Sequence, residues 1–103
     1  MVKELTNGEF EEFAKEGLVL IDFYADWCMP CMMMGPILEE VSKKFEGKIK
    51  FGKVDVGEYQ EVAQKFGVSS IPNFTLLKDG QMIEQFIGAM SEDDFVEKLN
   101  KFL

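Results

Sequence analysis

The chain predicts a single α/β domain with a mixed sheet and helices on both faces. Three observations carry this. The run Leu18-Val19-Leu20-Ile21-Asp22-Phe23-Tyr24 is almost wholly apolar without alternation, as a central strand covered on both sides requires. A helix-period segment and a second strand-like run, Lys48 to Val56, follow it. Together they make a strand–helix–strand unit with parallel strands and a right-handed crossover. Further on, Pro72 to Leu77 and Met82 to Ile87 flank Lys78-Asp79-Gly80-Gln81, a hairpin signature that adds antiparallel neighbours. The 103 residues, 47% of them apolar and ten of them Phe, suffice for one domain spanning positions 1–103.

The remaining elements follow from local chemistry. Val2 to Leu5 suits a short edge strand. Thr6-Asn7-Gly8-Glu9 matches a capping box, with Phe10, Phe13 and Ala14 at helical spacing and Gly17 as terminator. Beyond the cysteines, Ile37, Leu38, Val41 and Phe45 mark one helix face. Glu39 and Glu40 precede Lys43 and Lys44 by four on the other side, until Gly47 stops the helix. Tyr59, Val62, Ala63 and Phe66 repeat the helical spacing, capped by Gly67. Ser91 then caps a last helix whose first turn, Glu92-Asp93-Asp94, complements the dipole, with Phe95, Val96, Leu99 and Phe102 as its buried stripe.

Composition narrows the function. The formal net charge is −8 and all eleven cations are lysines. An acidic surface without guanidinium forks is a poor partner for nucleic acid or anionic lipid. The absence of His removes the usual general base and the commonest metal ligand. No run of about 18 apolar residues exists to span a membrane. The N-terminus lacks the basic-then-apolar pattern of a signal peptide, so a cytoplasmic protein is expected.

The chemistry concentrates at Trp27-Cys28-Met29-Pro30-Cys31. If Cys28 caps the helix, Cys31 is its N3 residue, one turn later on nearly the same face, and the two sulfurs can meet in a disulfide. The two thiols are then unequal. Cys28 lies beside unpaired N–H groups and the positive end of the helix dipole, which stabilise a thiolate. Cys31 lies deeper. Cys28 is therefore expected to attack and Cys31 to resolve. Pro30 is at home in a first turn that needs no N–H from it. A structural disulfide closing so short a loop constrains the unfolded chain little. A zinc site would need two more soft or imidazole ligands. Copper(I) is a weaker reading of Met29, Met32, Met33 and Met34, which at helical spacing are expected to fill core.

Asp22 interrupts the apolar run. In a strand buried on both faces, desolvation raises its proton affinity, making it a proton acceptor for Cys31 near neutrality, directly or through one water. The alternative is a solvated carboxylate at the sheet end or one paired with Lys53.

At these residues the chain resembles the thioredoxin family. Trp27-Cys28-Met29-Pro30-Cys31 is similar to its W-C-G-P-C motif, preceded by the D-F-x-A-x pattern as Asp22-Phe23-Tyr24-Ala25-Asp26. Gly35-Pro36-Ile37-Leu38 resembles the segment in which a proline kinks the active-site helix. Lys53-Val54-Asp55-Val56 resembles its K-x-[DN]-[VI] strand, Ile71-Pro72 its cis-proline loop, and Gly88-Ala89 its substrate-facing glycine turn. The register covers essentially the whole chain. The resemblance implies a five-stranded mixed sheet flanked by four helices, and a monomeric protein-disulfide reductase. It also implies a cis bond at Pro72, exposing backbone groups that pair with an extended substrate. Trp27, Met29, Ile71, Pro72 and Ala89 would form an apolar docking patch. No cofactor is expected on the chain, which lacks a Gly-rich dinucleotide fingerprint, so NADPH or another donor would act through a separate thioredoxin reductase-type partner.

The chain departs from the family pattern at three places. Met29 stands where the family has glycine, Met32 where many members carry Lys or Arg, and Asn73 where Thr is common. The first two bear on redox potential and partner choice. Two other functions remain compatible with the residues: a glutaredoxin-like or oxidising/isomerising direction of the same chemistry, and a non-catalytic binding or metal-carrier module.

Overall fold

The computed structural model describes residues 1–103. In chain order the elements are β1 (Val2–Glu4), α1 (Asn7–Ala14), β2 (Leu18–Tyr24), α2 (Met29–Lys44), β3 (Lys50–Asp55), α3 (Gln60–Lys65), β4 (Asn73–Lys78), β5 (Gln81–Ile87) and α4 (Glu92–Asn100). The five strands form one sheet in the order β1-β3-β2-β4-β5. β1, β3 and β2 run parallel, whereas β4 is antiparallel to β2 and to β5. This is the expected mixed sheet, with the non-alternating apolar strand β2 at its centre.

The period of two along β2 divides the core. Leu20 joins Met34, Leu38 and Val41 of α2, its C-cap Phe45, and Phe95 and Leu99 of α4 on one face. Val19, Ile21 and Phe23 pack with Phe10 and Ala14 of α1 and Val62 and Ala63 of α3 on the other. Asp22 and Tyr24 follow Leu20 by two and four, so they share its face, beneath the start of α2. The face of α2 that meets the sheet runs through Cys31, Met34, Leu38 and Val41 to its C-cap Phe45, with Ile37 half-buried and packed against the same cluster. On α4, likewise, Phe95 and Leu99 are buried while Val96 and Phe102 flank them half-exposed.

The punctuation residues act as their chemistry requires. The Thr6 N–H donates to Glu9 Oε1 at 3.0 Å, and Ser91 Oγ accepts from the Asp94 N–H at 3.1 Å. Asp79 and Gly80 both have positive φ, 50° and 82°, the left-handed pair that lets a two-residue turn match the twist of its strands. Pro36 lies exposed inside α2 and offers no N–H to the Met32 carbonyl.

Candidate active site

The β2 strand ends at Tyr24, whose carbonyl accepts from the Val56 N–H at 2.8 Å. The chain turns through Ala25-Asp26-Trp27, and the Cys28 N–H returns to the Ala25 carbonyl at 3.1 Å. Cys28 is the N-cap of α2, with extended φ and ψ of −96° and 106°, and Cys31 is N3. Their Cα atoms are 5.2 Å apart and the two sulfurs are joined as a disulfide. The Cys31 N–H donates to Cys28 Sγ at 3.2 Å. A sulfur thus takes the capping role that Ser or Asp plays at most helix starts, and an anionic sulfur would gain most from it. Cys28 keeps 7% exposure against 2% for Cys31.

Asp22 lies behind this turn, 3% exposed, and its Oδ1 has no hydrogen-bond partner in the chain. A cavity of about 110 Å³ opens beside it, between Asp22, Tyr24 and Lys53 on the sheet and Cys31 and Met32 on α2. One water needs roughly 10–15 Å³ of such space, so the cavity has room for water between its walls, which include both Asp22 and Cys31. Burial is the main force on Asp22. It pushes the pKa up to about 7, opposed by the Lys53 cation and reinforced by the Glu4 carboxylate. The alternative, an ion pair with Lys53, is not formed. Although Lys53 is the registered neighbour of Asp22 on β3, its Nζ lies 3.7 Å from Glu4 Oε1 and 5.3 Å from the centre of the Tyr24 ring.

The candidate docking residues divide into two groups. Trp27 and Met29 project to solvent, 76% and 71% exposed, with Pro30 exposed beside them. Ile71 packs, half-buried, against the small cluster that holds Cys28 and Cys31, and the Ile71–Pro72 bond is cis. Pro72 itself is buried, and its carbonyl accepts from the Gly88 N–H at 2.9 Å, which draws the Gly88-Ala89 turn up to it. Gly88 has φ of 98°, open to glycine at no steric cost, and Ala89 next to it is exposed.

The methionines correct one expectation. Met34 alone fills core, while Met29, Met32 and Met33 are 71%, 42% and 66% exposed around the cysteines. The cause is the helix face: only Met34 follows Cys31 by three on the buried side.

Two groups of residues were not singled out from sequence. One is Glu4 with Tyr24, whose hydroxyl donates to Glu4 Oε2 at 2.7 Å. The other is a partly buried chain joining β4 to β5. The Gln85 Nε2 donates to the Phe66 carbonyl at 2.9 Å and to Thr75 Oγ1 at 3.1 Å, and Thr75 Oγ1 donates to Asn73 Oδ1 at 2.8 Å. Only Asn73, as a departure from the family pattern, carried any signal.

A dithiol pair at a helix N-terminus, mounted on the centre strand of a mixed α/β sheet, defines a thiol–disulfide oxidoreductase. The chain belongs to the thioredoxin family, whose model matches residues 1–101. It is similar to a thioredoxin of Listeria monocytogenes, 44% identical over 103 residues covering all of both chains. A thioredoxin of Bacillus subtilis is 42% identical over 102 residues, covering 99% of this chain and 98% of that one. A thioredoxin of Staphylococcus aureus is 37% identical with the same coverage. The chain is accordingly a thiol–disulfide reductase. Thioredoxins generally need no bound cofactor, and the family implies reduction by a thioredoxin reductase and disulfide-containing substrates. No group of three or more Cys, Asp or Glu side chains is placed to hold a metal ion, and no helix is long and apolar enough to cross a membrane.

Proposed function

We propose that the whole chain works as one monomeric domain, in which Cys28 attacks the disulfide of a target protein, Cys31 resolves the product and Asp22 takes the proton from Cys31. The observation that carries this reading is the Cys31 N–H donated to Cys28 Sγ. It favours negative charge on Cys28 and leaves Cys31 facing the cavity it shares with Asp22. The Cys28 thiolate attacks one sulfur of the target disulfide, releases the other as a thiolate and forms a mixed disulfide. The Cys31 thiol passes its proton to the Asp22 carboxylate, and its thiolate attacks the Cys28 sulfur and expels the second target thiolate. The target gains two electrons, with protons taken up from Asp22 and solvent, and the chain is left as the Cys28–Cys31 disulfide. A separate thioredoxin reductase-type protein, drawing on NADPH or another donor, returns it to the dithiol in the cytoplasm.

The target is held as an extended segment. Neither the N–H nor the carbonyl of Ile71 is hydrogen-bonded within the chain, so both are open to a substrate backbone beside Cys28. Trp27, Met29, Pro30 and Ala89 supply the surrounding apolar surface, with the buried Pro72 and the half-buried Gly88 setting the loop and turn beneath it. The test is trapping. Cys31→Ser should accumulate mixed disulfides with target proteins and Cys28→Ser should not; equal trapping by both variants would overturn the assigned roles.

A further inference from the structure

The geometry points to Glu4 as a positioning residue for the active-site proton transfer: it draws the Lys53 ammonium to itself, so that the buried Asp22 carboxylate forms no ion pair and stays available to the Cys31 proton. This rests on the reading of Asp22 as proton acceptor given above.

Three observations meet here. Lys53 is placed by strand register to reach Asp22, since the two are directly paired between β2 and β3 and both line the same cavity. A cation within about 4–6 Å of a buried carboxylate favours its charged form strongly, and a buried pair would bind the group that the reaction needs free. Instead the ammonium goes to Glu4 Oε1 at 3.7 Å. Glu4 is itself fixed, because its other oxygen takes the Tyr24 hydroxyl at 2.7 Å and the Tyr24 ring lies under the Lys53 cation. Asp22 Oδ1 is left without a partner, as the arrangement predicts. The groups around Asp22 are few. Glu4 faces it from β1, Tyr24 from β2, Lys53 from β3, and Cys31 and Glu39 from α2, while its β4 neighbour is the apolar Phe74.

The Glu4–Lys53 pair is an exposed one, at 50% and 36% side-chain exposure, so its own contribution to stability is small and its removal should leave the fold intact. Its effect on Asp22 is the measurable one. The experiment is a carboxyl-carbon NMR titration of Asp22 in the reduced full-length protein, combined with the pH profile of mixed-disulfide resolution. Five forms are compared: wild type, Glu4→Gln, Lys53→Met, the double variant and Tyr24→Phe. In Glu4→Gln the released Lys53 should approach Asp22 and lower its titration midpoint by about one unit, carrying the pH profile of resolution down with it. In the Lys53→Met background the same Glu4→Gln change should move the midpoint less than half as far, because only the bare charge of Glu4 is then lost. Tyr24→Phe, which loosens Glu4 without altering any charge, should shift the midpoint the same way by a smaller amount. Equal Glu4→Gln effects in both backgrounds, or none in either, would overturn the clamp. A midpoint that moves while the resolution profile stays put would uphold the clamp and overturn Asp22 as the proton acceptor.

Discussion

Asp22 and Lys53 stand side by side in the register of β2 and β3, yet the ammonium of one turns from the carboxylate of the other to Glu4, 3.7 Å away. A carboxylate in that position is costly in its charged form, which ties the chemistry of the site to the stability of the fold.

For Asp22→Asn two linked effects are expected. The folded pKa, about 7, lies above the ordinary value of 3.8, so the native state holds the proton more tightly than the unfolded chain. Stability attached to this group is full below about pH 4 and is lost as pH rises through 7, an amount on the order of 4 kcal/mol. Removing the ionisable group should therefore raise the melting temperature more at pH 8 than at pH 5. It should also slow resolution of the mixed disulfide near neutrality. Identical melting shifts at both pH values would show that the carboxylate is not penalised by burial.

Gly52 is a packing prediction that no turn or positive φ explains. A Cβ there would lie 2.7 Å from Leu5 Cδ1 and 3.0 Å from Phe13 Cε2, with Ile21 Cδ1 at 3.4 Å. Gly52→Ala should cost about 1–3 kcal/mol by overpacking between β3 and α1, read as a lower denaturant midpoint with unchanged slope. A neutral result would mean that Leu5 and Phe13 repack freely.

Phe74 is fully buried, edge-on to Phe95 with ring centres 4.8 Å apart. Phe74→Ala should cost about 3–5 kcal/mol, a large share of the 5–15 kcal/mol typical of a whole domain. Chemical denaturation followed by circular dichroism measures it directly.

Hydrogen peroxide should discriminate among the methionines by exposure. Met29 and Met33 should become sulfoxides early and Met34 last, each oxidation transferring one oxygen atom and releasing water. Peptide mass spectrometry gives the order. Met29→Leu should keep the apolar surface beside Cys28 while removing the oxidisable sulfur, and so preserve target reduction after peroxide treatment.

Much of the fold was legible because its signals are local. The unbroken apolar run of β2, the Thr6 and Ser91 caps and the Asp79-Gly80 turn each fix an element from a few adjacent residues. On α2 the helical period admits both Met34 and Ile37 to the apolar face, and only the sheet beneath decides that Met34 is the one fully buried. In the site, Cys28, Cys31 and Asp22 announced themselves by spacing and by polarity out of place. Glu4 did not. Its role depends on β1 lying parallel to β3, which sets Glu4 opposite Lys53 across 49 positions of sequence, with Tyr24 brought in from β2. The Asn73–Thr75–Gln85 chain is equally silent, because its hydrogen bonds follow the pairing of β4 with β5, a register interrupted by a bulge at Leu76 and Leu77. The cis bond at Pro72 came from family likeness alone.

The strand order bears on how the protein is made. β2 receives one neighbour, β3, from the chain soon after it, but the other, β4, comes from beyond residue 72. On a ribosome that delivers the N-terminus first, Leu18 to Tyr24 would emerge with one side unpaired, and the helix bearing Cys28 and Cys31 would rest on half a platform. The loop carrying Ile71 and Pro72 emerges later still than that helix. During synthesis, therefore, the cysteines are made well before Ile71 and Pro72, the residues proposed to hold their targets, so the site is complete only once both halves of the sheet have been delivered.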